Sequence, residues 1–146
     1  MLEVRNILYF DPFYFKNGNK AKAKYFVVLR LIENKAVLAS LPTSKDYIPA
    51  FHEKQEGCIE IPESNFNCFA IPATTCVTDC GKYFERKTFL YGQHIDEYEI
   101  KLLKEIYPLE NIDYEIWGKM KKCLFDEIIC CFRNSKTVKR KYKKIL

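Results

Sequence analysis

Two adjacent hydroxyls and a cation, Thr43-Ser44-Lys45, follow the apolar run "VLASLP" and precede "DYIP". A second cationic cluster, Lys16, Lys20, Lys22 and Lys24, fills "FKNGNKAKAK" around an Asn-Gly turn signal. Lys22 and Lys24 are two residues apart, so in an extended chain they share a face. Ammonium groups beside alcohols suit phosphodiester chemistry. Cutting RNA without a metal requires stabilising charge on a pentacoordinate phosphorus, removing the 2′-hydroxyl proton and protonating the leaving oxygen. A lysine crowded by other cations has a lowered pKa and can supply that proton. The competing use of Thr43-Ser44 is as turn formers with a local cap, and of the lysines as a solvated face.

His52, a few residues beyond the hydroxyls, is the second candidate acid or base, since imidazole titrates near neutral pH. His94 could serve in the same way, but its place ahead of a helix is read as local structure. Tyr83, Phe84, Arg86 and Lys87 in "CGKYFERKTF" mix rings with cations, the composition that stacks unpaired bases, although a hairpin with buried rings has the same composition. There is no glycine-rich phosphate loop, no GxSxG elbow and no HExxH pair, which argues against nucleotide hydrolysis, triad acyl transfer and zinc hydrolysis. Cys76 and Cys80 are closely spaced, but both histidines are remote in sequence and no second pair follows, so no metal and no cofactor are expected.

The elements that must place these groups change character along the chain. "VRNILYF" (4–10), "KYFVVLRLI" (24–32), "KAVLASL" (35–41), "CIEI" (58–61), "NCFAI" (67–71), "TTCV" (74–77) and "TFLY" (88–91) read as short strands between turn residues, which suggests a small barrel or a highly curved sheet. Glu33-Asn34 is short enough for a tight hairpin. Counted outward from that turn, Lys24 falls opposite Thr43. Beyond residue 93, Asp96 and Glu99 have the spacing of a capping box ahead of a stripe of Ile100, Leu103, Ile106 and Tyr107. A second helix is expected from about 111–113, carrying Trp117, Met120, Leu124, Ile128 and Cys131 on one face. The 146 residues are expected to form a single domain, with strands over 1–93, helices over 94–133 and a basic tail over 134–146. Residues 133–146 hold seven of the 24 Lys and Arg and no acid, leaving 17 basic against 19 acidic groups elsewhere. Such a tail suits a phosphate-rich partner or a frayed, solvated end. Seven cysteines behind an N-terminus without signal-peptide features point to a cytoplasmic protein with reduced thiols, and no apolar run approaches a membrane span.

The order "ILYFDP…NG…KAKYFVVL…NKAVLASLPTSKDYIP" resembles the PemK/MazF-like endoribonuclease toxins, through Asp11-Pro12, Gly18, Val27-Val28-Leu29, Thr43-Ser44-Lys45 and Tyr47 to Pro49. "LASLPTSK" is similar to the ToxN-type branch, whose antitoxin is a structured RNA. The likeness covers about residues 4–92. It departs where Lys24-Tyr25 replaces the family's Arg-Pro, leaving Lys22 or Lys24 as the site cation, and in the long basic C-terminal end. The resemblance implies an α+β fold, a small SH3-like antiparallel β-barrel with C-terminal helices. It also implies a toxin of a toxin-antitoxin system that cleaves single-stranded RNA to 2′,3′-cyclic phosphate and 5′-hydroxyl ends. Thr43 and Ser44 would position or activate the 2′-hydroxyl and the phosphate, Lys24 or Lys22 would stabilise transition-state charge, and Lys45 would contact phosphate or donate the proton. Expected partners are the RNA substrate, a cognate antitoxin of protein or structured RNA, and a second copy in a homodimer, with no membrane. The rival readings are a non-catalytic nucleic-acid-binding barrel and a protein-interaction module.

Overall fold

The three longest apolar runs become adjacent strands, and their alternating side chains are buried on both faces. The computed structural model describes residues 2–43, 48–49 and 52–146. β1 (Asn6–Phe13), β2 (Lys22–Ile32) and β3 (Lys35–Ser40) pair antiparallel. Ile7, Val27, Leu29, Val37 and Ala39 point to one core, whereas Leu8, Phe10, Phe26, Val28 and Leu38 point to another. Strands buried on both faces lose the apolar-polar alternation of a half-exposed sheet and read as continuous apolar runs. The turn between β2 and β3 is the expected two residues, with Glu33 in the left-handed region at φ +53°.

Further along lie β4 (Gly57–Ile61), β5 (Phe66–Ile71), β6 (Thr88–Tyr91), β7 (Asp96–Glu99), α1 (Ile100–Ile106), β8 (Tyr114–Lys119), α2 (Lys122–Arg133) and α3 (Arg140–Lys143). The strands form an α+β arrangement of two sheets, ordered β7-β3-β2-β1-β8 and β4-β5-β6. Among the described residues no pairing closes them into a barrel. They meet where the Phe89 N–H of β6 donates to the Pro42 carbonyl beyond β3, at 2.9 Å. The smaller sheet and α2 cover the first core face with Phe69, Ile71, Leu90, Ile128 and Phe132. On the second face Tyr107, at the end of α1, packs on Phe10 with ring centroids 4.7 Å apart. Among the described residues no helix is long and apolar enough to cross a membrane.

Five expectations are corrected. The capping box is not one: Asp96–Glu99 is a strand paired with β3, Leu38 opposite Asp96, and the helix begins at Ile100 behind Glu99. Pairing with an otherwise open strand edge outweighs the capping preference of an Asp. The second helix starts at Lys122, because residues 114–119 pair with β1, and so Trp117 and Met120 precede it. "TTCV" contributes only a single bridge, Cys76 to Tyr83. The thiols are not all reduced, since β4 and α2 bring Cys58 and Cys131 together as a disulfide with a Cα–Cα distance of 5.5 Å. Nor is the C-terminal end frayed: Val138 and Tyr142 are buried in the first core.

The disulfide spans 73 residues of sequence, so constraining that loop in the unfolded chain contributes about 4 kcal/mol by the chain-entropy account. Thiol titration of the denatured, unreduced protein is expected to count five free thiols, rising to seven after reduction. Reduction lowers the unfolding midpoint. Seven titratable thiols before reduction would contradict the linkage.

Candidate functional site

The irregularity between Val28 and Arg30 in the β2–β3 pairing decides what faces the Lys24 ammonium. Counted from the turn, Leu29 should face Leu38; instead Val28 does, and the pairing continues as Phe26 with Ser40. Partners across a ladder share a face, and residues two apart along a strand do too. Lys24, Phe26 and Ser40 therefore lie together, so the hydroxyl brought to Lys24 is that of Ser40 rather than Thr43. A bulge of one residue has changed the register and the face.

Lys24 and Ser40 line a cavity of about 830 Å³, together with Lys20, Lys22, His94 and Lys139. Lys22 and Lys24 share it as their spacing predicts, Lys24 standing opposite Phe10 on β1 and Lys22 opposite Phe13. Burial holds the Lys24 pKa below the ordinary lysine value, and the nearby Lys22 charge adds to that. Burial likewise lowers the His94 pKa, with Lys24 as the second cause. Both effects disfavour the protonated form, so His94 is a neutral imidazole at pH 7. The site thus combines a neutral base with an acidified ammonium, two groups whose environments suit opposite proton transfers.

His94 closes the one-turn helix Gly92–His94 between β6 and β7. Gly92 is needed there because a Cβ would meet Asn67 Oδ1 and Val138 Cγ2, each at 2.7 Å. Lys139 is delivered by a turn clamped to β4: the Glu60 carboxylate accepts from Ser135 Oγ at 2.7 Å and from the Lys136 N–H at 2.6 Å. Asp96, the acid on the cavity wall, takes a hydrogen bond from the Glu97 N–H and an ion pair from Lys16 at 3.3 Å.

The remaining expected residues are dispersed. Thr43 is exposed and does not line the cavity, while Ser44 and Lys45 lie outside the described residues. His52 sits half-buried in a turn, its N–H bonded to the Pro49 carbonyl at 2.8 Å, away from this cavity's lining. Lys16 caps the Tyr98 ring at 4.1 Å and borders the groove beside α1. Lys87 donates to the Glu53 and Gln55 carbonyls at 2.8 and 2.6 Å, which makes it a loop anchor. Tyr83 and Arg86 are exposed outside the cavity. Sequence reasoning weighed His94 as an acid or base but set it aside as local structure, and it missed Ser40 and Lys139. Ser40 carried a usable signal, its period-two relation to Leu38 on a strand pairing with β2; the places of His94 and Lys139 depend on long-range packing.

Comparison of the chain with protein-family models, curated proteins and solved structures found no match.

Following the His94 ring protons by NMR is expected to give a pKa below the ordinary histidine value of about 6.5. In Lys24→Gln it rises without reaching that value, because burial, the larger cause, remains. An unchanged His94 titration in that variant would show that the two groups do not share a field.

Proposed function

We propose that the chain is a metal-independent endoribonuclease of the toxin type, acting on single-stranded RNA in the cavity between β2 and the Gly92–His94 turn. The observation that carries this is the meeting of Lys22, Lys24 and His94 in one cavity, with Lys24 and His94 perturbed by burial and by neighbouring charge. Neutral His94 accepts the proton of the 2′-hydroxyl, whose oxygen attacks the adjacent phosphorus. Lys22, Lys20 and Lys139 hold the non-bridging oxygens as charge builds on them. The bond to the 5′-oxygen breaks and Lys24 protonates that oxygen, leaving a 2′,3′-cyclic phosphate and a 5′-hydroxyl. Ser40 orients the phosphate. Thr43-Ser44-Lys45 follow Ser40 in sequence after two intervening residues and serve as the adjoining segment that the toxin resemblance assigns to substrate.

The same resemblance makes the two sheets a version of the small SH3-like barrel, with the Phe89–Pro42 hydrogen bond as the seam between its halves. A toxin of this kind acts in the cytoplasm and has a cognate antitoxin, protein or structured RNA. The basic cavity favours an RNA or acidic inhibitor that occupies it directly.

Two measurements test the proposal. With EDTA present, His94→Ala and Lys24→Gln each lower the cleavage rate of a single-stranded RNA by about 10²- to 10⁴-fold, the usual worth of a general acid or base. RNA binding by His94→Ala stays close to that of the parent. The rate of the parent rises with pH through a His94 pKa below 6.5 and falls as Lys24 loses its proton below the ordinary lysine range. RNA bound with a steep salt dependence but never cut would favour the non-catalytic binding reading instead.

A further inference from the structure

Successive residues of β2 point to opposite faces, so Tyr25 leaves the sheet on the side away from Lys24. Tyr25 there pairs across the ladder with Tyr9, and Tyr9 pairs on its other side with Glu115 of β8, which makes a three-strand row on one face. The Tyr9 and Tyr25 rings meet edge to face at 4.6 Å, and Trp117 stands 5.6 Å from Tyr25. Phe84 stacks on Trp117 at 4.6 Å with planes 10° apart. Asp11 accepts from the Tyr9 hydroxyl at 3.4 Å. Tyr9, Asp11, Tyr25, Glu115 and Trp117 line an open cavity of about 520 Å³ together with residues 111–114, of which the Asp113 carboxylate accepts from the Leu109 N–H, while Asp11 and Glu115 are exposed.

In a chain of net charge +5, this cavity is acidic and aromatic, and phosphate would meet carboxylates there. Ring faces carry negative quadrupole potential, and carboxylates beside them add to it, so the complementary ligand is a cation with apolar surface. Within the protein Lys82 already behaves this way: its ammonium lies 5.3 Å from the Trp117 ring centroid while donating to the Trp117 carbonyl at 2.7 Å. Burial first, and then negative neighbours including Glu115, hold both phenols above the ordinary tyrosine pKa, consistent with a negative field over the row.

We propose that this cavity is a second binding site, which takes an organic cation, a guanidinium or alkylammonium group, against Tyr9, Tyr25 and Trp117 with Asp11 and Glu115 as counter-charges. It is independent of the basic cavity on the opposite face and of what that cavity does. Trp117 is the chain's only tryptophan, so its fluorescence reports on the site directly. Titration with Nα-acetyl-arginine amide and with spermidine is expected to give a saturable change, while the uncharged isostere Nα-acetyl-citrulline amide gives none. Tighter binding of the arginine amide assigns the site to a side chain of a protein partner; tighter binding of spermidine assigns it to a polyamine. Glu115→Gln combined with Asp11→Asn, both at exposed positions, weakens binding roughly tenfold, the scale of a lost charge contact beside an aromatic ring. Lys24→Gln leaves it unchanged. Equal binding of the citrulline amide, full affinity in the double variant, or no saturable response to either cation would overturn the proposal.

Discussion

A lysine ammonium held half out of water is the interaction around which this structure is arranged. Burying a charge is costly, and here the cost falls on Lys24, whose strand continues into the packed core at Phe26 and Val28. Lys22 raises it further. The anion that relieves it is not supplied by the nearest acid on the cavity wall, since Asp96 pairs with Lys16. A ribose-phosphate link is an anion of suitable form: its 2′-hydroxyl offers the proton that a neutral imidazole can accept, and its leaving 5′-oxygen takes the proton that an acidified ammonium can give.

Precision at such a site comes from elements distant in sequence. His94 is placed by a turn that passes within van der Waals reach of Asn67 and Val138, and Lys139 by the grip of Glu60 on Ser135 and Lys136. The Cys58–Cys131 linkage ties β4, which bears Glu60, to α2, which leads into that same turn. The basic end of the chain therefore contributes Lys139 to the cavity wall, anchored by buried Val138 and Tyr142 and by the Lys143 ammonium on the Ser135 carbonyl.

Local patterns carried much of this into the sequence. The three doubly buried strands, their two-residue turn and the shared face of Lys22 and Lys24 follow from apolar runs and period two. What escaped was set by pairing at a distance. One extra residue near Leu29 changes the partner of the β2 entrance from Thr43 to the Ser40 side, and no residue type announces it. Asp96–Glu99 reads as a helix start until β3 claims it as an edge strand, and Tyr114–Lys119 fails as a helix because β1 has an open edge. His94 looked like punctuation because the charge that acts on it, Lys24, lies 70 residues away in the chain.

The most direct measurement is mass spectrometry of the ends on a single-stranded RNA incubated with the purified protein and EDTA. The account predicts fragments ending in a 2′,3′-cyclic phosphate and beginning with a 5′-hydroxyl. Intact RNA, or fragments with 3′-hydroxyl and 5′-phosphate ends, would contradict it.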